Sequence, residues 1–190
     1  MSNATRVVTG VVRLSYANIW EPKAIKDSKP KYSASLIIPK SDVQTVRAIE
    51  AAVNAALTEG TAKFGGKIPP RGSLKLPLRD GDTDRDDEAY QGAYFVNANS
   101  TRQPGVVDQQ VQPILDQEQV YSGCYVRAAI GFYAFNNNGN RGVACSLDSI
   151  QLVRDGERLG AARPTPEQDF TAINAEAAEW AGQTGGGLLD

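Results

Sequence analysis

Residues 121–135, YSGCYVRAAIGFYAF, and residues 142–153, GVACSLDSIQLV, decide the fold. Between them stands Asn136-Asn137-Asn138-Gly139-Asn140, a cluster of residues that tolerate the backbone angles of a tight reversal. Two long runs rich in β-branched and aromatic residues around such a cluster read as a β-hairpin. In the first arm Val126, Ala128, Ile130, Phe132 and Ala134 share one face, as the period of two requires of a core-facing set. Tyr125, Arg127, Ala129, Gly131, Tyr133 and Phe135 share the other, an unusual solvent face with three aromatics and a cation.

Outward from the hairpin, more strands appear. Residues 92–99 (GAYFVNAN) read as one. Residues 31–38 (KYSASLII) alternate, with Tyr32, Ala34, Leu36 and Ile38 inward and Lys31, Ser33 and Ser35 outward. Residues 5–16 (TRVVTGVVRLSY) place Val8, Val12, Leu14 and Tyr16 on one face and Thr9, Val11 and Arg13 on the other. The connection 17–30 is long, polar and lysine-rich. A helix follows Ser41, its expected N-cap, with Val43, Val46, Ile49, Val53 and Leu57 at helical spacing until Gly60. Residues 61–91 and 102–119 read as irregular. A short helix is expected over 167–181, then a glycine-rich end.

Five strands and one amphipathic helix predict a mainly β chain, an OB-fold-like five-stranded barrel with long loops over 5–163 and a flexible acidic C-terminal tail over 164–190. The helix falls after the second strand, whereas the standard OB order places it after the third. Either a further strand lies within 61–91 or the topology departs from that order.

Composition removes many chemistries. The 190 residues contain no histidine, so Ser-His-Asp catalysis, Cys-His catalysis and His-ligated zinc are out of reach. Cys124 and Cys145 are too few for a thiolate cage and read as reduced core residues. No run reaches the roughly 20 apolar residues of a membrane span and no secretion signal opens the chain, so the expected location is the cytoplasm in which it is made. Charge is divided: residues 1–79 carry 13 Lys+Arg against 5 Asp+Glu, and residues 80–190 carry 7 against 17. That division suits a polyanion-binding surface beside an acidic segment, unless folding mixes the charges.

Two constellations compete for function. The run Asp80, Asp82, Asp84, Asp86 and Glu88 suggests a metal site, and with it a metal-dependent nuclease or phosphotransferase. It fails as an EF-hand, because Arg85 stands where glycine is required and Gln91 where glutamate is. The bland reading is a solvated turn whose acids pair with Arg79, Arg85 and nearby lysines. The other constellation interleaves bases with aromatics. Arg13, Trp20, Lys23, Lys26, Lys29 and Lys31 lie on or near the first connection. Lys63, Phe64, Lys67, Arg71 and Lys75 lie on the second, and Tyr125, Arg127, Tyr133 and Phe135 on the hairpin. Cations that track phosphates and rings that stack on unpaired bases, at about 1–3 kcal/mol per base, are what single-stranded nucleic acid needs. Each aromatic can also be a packing anchor. A structural protein that assembles through β-edges is a third reading.

The strings VRLSYANIWEPKA, KYSASLIIPK, PLRDGDTDRDDEAYQGAYFVNA, YSGCYVRAAIGFYAFNNNGNRGVACSL and VRDGERLG resemble a bacteriophage-encoded family of single-stranded-DNA-binding proteins of OB fold, over about residues 7–170. The resemblance implies sequence-tolerant coating of single-stranded DNA in phage replication or recombination, in the cytoplasm of an infected bacterium, with no catalytic step and no cofactor. It also implies an acidic tail that competes with DNA and contacts replication or recombination proteins, and a homo-oligomer, a dimer being favoured, is expected besides. Here the tail tip is Leu188-Leu189-Asp190, with the apolar pair before the last acid, whereas such tails typically end on an apolar or aromatic residue.

Overall fold

The hairpin folds as two long antiparallel strands, β7 (Tyr125–Asn137) and β8 (Asn140–Arg154). The computed structural model describes residues 3–24, 26–160 and 166–175. The turn is tighter than the asparagine cluster suggested. Only Asn138 and Gly139 lie outside the strands, at φ 53° and 87°, the paired positive angles of a type I′ reversal. The inward set of β7 is as expected: Val126, Ala128, Ile130, Phe132 and Ala134 are all buried.

Upstream lie β1 (Arg6–Val8), β2 (Val12–Lys23), β3 (Lys31–Pro39), β4 (Leu78–Asp80), β5 (Ala93–Ser100) and β6 (Gly105–Val107). Pairings β2–β3, β3–β5, β5–β8, β8–β7 and β7–β2 close a ring of five strands, antiparallel except for β5–β8. The OB-like barrel is therefore present. Helix α1 (Val43–Glu59) sits between its second and third strands, so the order does depart from the standard one. Region 61–91 does contain a strand, β4, which pairs with β5 alone. Just before it, Lys75 bridges to Gly142 of β8, with Lys75 N–H donating to the Arg141 carbonyl and Val143 N–H donating to that of Lys75. Residues 75–80 thus fill the wedge where β5 and β8 diverge. Leu76 and Leu78 pack against the core from that segment, and Leu74 just before it is buried in the core.

The barrel interior is filled by Leu14, Ile19, Leu36, Ile38, Val96, Ile130, Phe132, Leu147 and Ile150, joined by Ile49, Ala52, Val53, Ala56 and Leu57 of α1. The helix is capped by Asp42 rather than Ser41: its carboxylate accepts the Thr45 N–H at 3.1 Å and the Thr45 hydroxyl at 2.6 Å. Cys124 and Cys145 are buried and unbridged, and burial pushes the Cys145 thiol well above its ordinary pKa. Four expectations need correction. The single strand expected over 5–16 is two, β1 and β2, interrupted at 9–11, which leaves Val8 exposed and Thr9 buried. β2 continues to Lys23, so Trp20 and Lys23 are on a strand and not in a loop. β6 lies inside 102–119. Of the helix expected at 167–181, only Pro166–Asp169 is helical among the described residues, and 176–181 lie outside them. Two units are distinguished, 1–160 holding the barrel and 161–190 holding the short helix.

Gly142 tests the wedge. A Cβ there would run into the Lys75 carbonyl and stand 2.8 Å from that residue's backbone C and N, which cannot yield as a side chain can. Gly142→Ala is expected to cost about 1–3 kcal/mol, read as a lowered Tm with faster amide exchange at Val143. An unchanged melt would mean residues 75–80 do not depend on this approach.

Candidate nucleic-acid interface

The outer face of β2, β3 and β5 carries a groove of about 470 Å³. Its construction starts from a bulge. Ser15 pairs with Ser35 and Asn18 with Ser33, so β2 uses three residues where β3 uses two. The extra residue places Tyr16 at φ 44°, a left-handed conformation that costs a tyrosine about 1–3 kcal/mol. Tyr16, expected inside, is turned out and is 57% exposed. The bulge is pinned by Ala17 N–H donating to the Ser122 hydroxyl at 2.9 Å, and by the Asn18 amide donating to Tyr16 O and Ser33 Oγ.

Beyond the bulge a second register shift, five residues of β2 against two of β3, sets Lys23 opposite Lys31. Like charges directly across an antiparallel pair repel. Both line the groove together with Lys29, and none of the three is in an ion pair among the described residues. Ser33, Ser35, Asn97 and Asn99 supply a hydroxyl and amide floor. The far end is closed by the segment that contains the acidic run. Tyr90 is buried there, edge-on to Phe95 at 5.1 Å, and its hydroxyl donates to Ser35 Oγ at 3.0 Å. With Ile37 and Ala93 these rings form a second small core outside the barrel. That explains why Ser35 and Ile37, on the face expected to meet solvent, are buried. The Arg85 guanidinium lies over Tyr16, Tyr90 and Phe95 at 5.1–5.2 Å and also lines the groove.

The acids of the run have local work. Asp80 and Asp82 both hold the Lys40 ammonium at 2.8 Å, Asp82 also accepts the Gly92 N–H, Asp84 meets Arg79 at 3.3 Å and Asp87 accepts the Ala89 N–H. Arg85, expected to pair with an acid, stacks on rings instead. No group of three or more metal-ligating side chains occurs among the described residues. The hydrogen bond from Lys40 is the main cause holding both carboxyls below the ordinary 3.8 and Lys40 above 10.5. The sign follows: the clamp stabilises the fold above about pH 4 and is lost as acid titrates the depressed carboxyls. The Tm gap between wild type and Lys40→Met should be constant from pH 5 to 9, and shrink toward pH 3 (roughly, by linkage). A gap unchanged at pH 3 would contradict the clamp.

The remaining sequence candidates scatter. Trp20 packs against the core with its indole N–H on the Val120 carbonyl at 3.0 Å. Arg13 donates to the carbonyls of Gly123 and Glu157, and Tyr125 lies between Arg13 and Arg154. Arg127 donates to Thr9 O. Tyr133 and Phe135 lie about 26 and 33 Å beyond Tyr125 along β7 by strand rise, beside the wedge that carries Lys75. Lys63 reaches Ala134 O, Phe64 packs on the core and Arg71 bonds Asn54. Lys26 and Lys67 are exposed on loops. Leu188, Leu189 and Asp190 lie outside the described residues. Of the fifteen interface candidates, then, the groove gathers Lys23, Lys29 and Lys31. Sequence reading missed Tyr16, Asn18, Ser33, Ser35, Arg85, Asn97 and Asn99.

A family model for the single-stranded-DNA-binding protein of Enterobacter phage Enc34 matches residues 5–180. The chain belongs to the Enc34 single-stranded-DNA-binding protein family. A relative within reach of sequence comparison, putative protein p50 of Acyrthosiphon pisum secondary endosymbiont phage 1, is 30% identical over 172 residues, 86% of this chain and 91% of the relative. Among solved structures, the phage Enc34 protein in complex with single-stranded DNA superposes with a TM-score of 0.74 at 23% identity, over 83% of this chain and 91% of that one. The single-stranded-DNA-binding protein of bacteriophage T7 is a more distant neighbour, with a TM-score of 0.56 at 17% identity, over 84% and 97%. The Enc34 fold is thus the fold of this chain.

Proposed function

We propose that this protein binds single-stranded DNA with little regard to sequence, coating and protecting it during phage replication or recombination in the host cytoplasm. Binding is its whole activity, with no catalytic step. The observation that carries this reading is the opposed pair Lys23 and Lys31, neither in an ion pair among the described residues, at a groove that also presents Lys29, Arg85 and Tyr16. A phosphate between the two lysines relieves their repulsion, and the ring and guanidinium offer faces to unpaired bases. The groove also lies where OB barrels take oligonucleotides, on the face of the second and third strands beside the loop joining the first two. Membership of the family supports the same conclusion. No helix among the described residues is long and apolar enough to cross a membrane.

Self-association as a dimer, and contact with replication or recombination proteins through Leu188, Leu189 and Asp190, belong to this proposal. Lys26, Lys67 and Lys75 extend the cationic path in it. Fluorescence anisotropy of labelled oligo-dT beside a duplex of equal length tests the reading. Salt-sensitive binding of the single strand with little of the duplex is the expected result. Equal binding of both, or none at low salt, would overturn it.

A further inference from the structure

Tyr16 does more than border the groove. On its other side lies a second depression of about 290 Å³, and Tyr16, Asn18 and Lys23 line both. The second depression is lined further by Ser15, Ala17, Ser122, Leu159 and Gly160, and by Asp87, whose carboxylate accepts the Ala89 N–H. The tyrosine is therefore the ridge between two adjoining pockets. It is raised by a bulge, held at a strained backbone angle and braced by the Arg85 guanidinium 5.2 Å from its ring centre. An aromatic packed for stability would be buried, and this one is not.

The geometry points to Tyr16 as a wedge that separates two consecutive bases of the bound strand, one in each pocket, while Lys23 holds the phosphate between them. This rests on the single-strand reading above. It adds that the strand is unstacked at a fixed step, with each of the two bases seated in its own pocket.

Glycine suits φ 44° better than tyrosine, so Tyr16→Gly removes the wedge and relieves the backbone together. Its Tm should not fall, while affinity for a short oligomer of 2-aminopurine weakens about 5- to 100-fold by anisotropy. Tyr16→Phe should stay near wild type. The decisive reading is the exciton circular dichroism of the oligomer, in which every register places a base step on residue 16. At saturation, wild type should leave a weaker exciton band than Tyr16→Gly leaves. Equal bands with both proteins bound would overturn the wedge and spare the single-strand reading. Failure of wild type to bind the oligomer would overturn both.

Discussion

Replacing Lys23, Lys29 and Lys31 together by glutamine should weaken oligo-dT binding by roughly one to two orders of magnitude near physiological salt. The reasoning is electrostatic. Each lysine that neutralises a phosphate on a single strand contributes about 0.7 to the slope of log K against log salt, so losing three should flatten that slope by about 2. The three line one groove, and no acid is paired with them among the described residues. The fold should not suffer. Removing the opposed Lys23–Lys31 pair relieves a repulsion, and the Tm should hold or rise. Titrations at several salt concentrations check this directly. A variant that binds more weakly with an unchanged slope would mean the lysines act on the shape of the hairpin and not on phosphate.

Tyr90→Ala should have the largest effect on stability. The residue is fully buried outside the barrel, where it packs edge-on to Phe95, lies under Arg85 and donates to Ser35. Truncating a buried aromatic costs about 3–5 kcal/mol, which in a domain of this size lowers the Tm by roughly 6–20 °C. Tyr90→Phe keeps the ring and loses one hydrogen bond, a cost of about 1 kcal/mol. The two losses differ in kind as well. Without the Tyr90 ring, residues 80–92 lose their packing on Phe95 and the bond to Ser35, and Arg85 loses one of the three rings that aim it into the groove. Binding should therefore weaken with alanine even at temperatures where the protein is folded, and stay near wild type with phenylalanine. Calorimetry and anisotropy on the two variants separate these effects. Equal melts for alanine and phenylalanine would mean the outer core contributes little.

What could be read from the sequence was whatever a local period encodes. The alternation in 125–135 placed the β7 core set correctly, and helical spacing found α1, although the cap moved one residue to Asp42. The site was mostly hidden, because bulges and long-range partners carry no period. Tyr16 fits the inward series Val12, Leu14, Tyr16 until one extra residue turns it out. The signal available was Ser15-Tyr16-Ala17-Asn18, a large ring among small polar residues at the end of an apolar alternation. Arg85 sits in an acidic run, which drew attention to charge when its real partners are three rings. Trp20, Arg13 and Tyr125 have the composition of a binding surface but spend it on carbonyls and each other, and only tertiary contacts reveal that.

The central claim is that single-stranded DNA lies on the β2–β3–β5 face. Photocrosslinking of an oligonucleotide carrying 5-iodouracil, followed by mass-spectrometric mapping of the joined peptides, tests it most directly. The account predicts crosslinks at Tyr16 and in the strands and loop flanking it, lost when Tyr16 is replaced by glycine. Crosslinks concentrated on Tyr125, Tyr133 or Phe135, with none around Tyr16, would contradict it and move the interface to the β7–β8 hairpin.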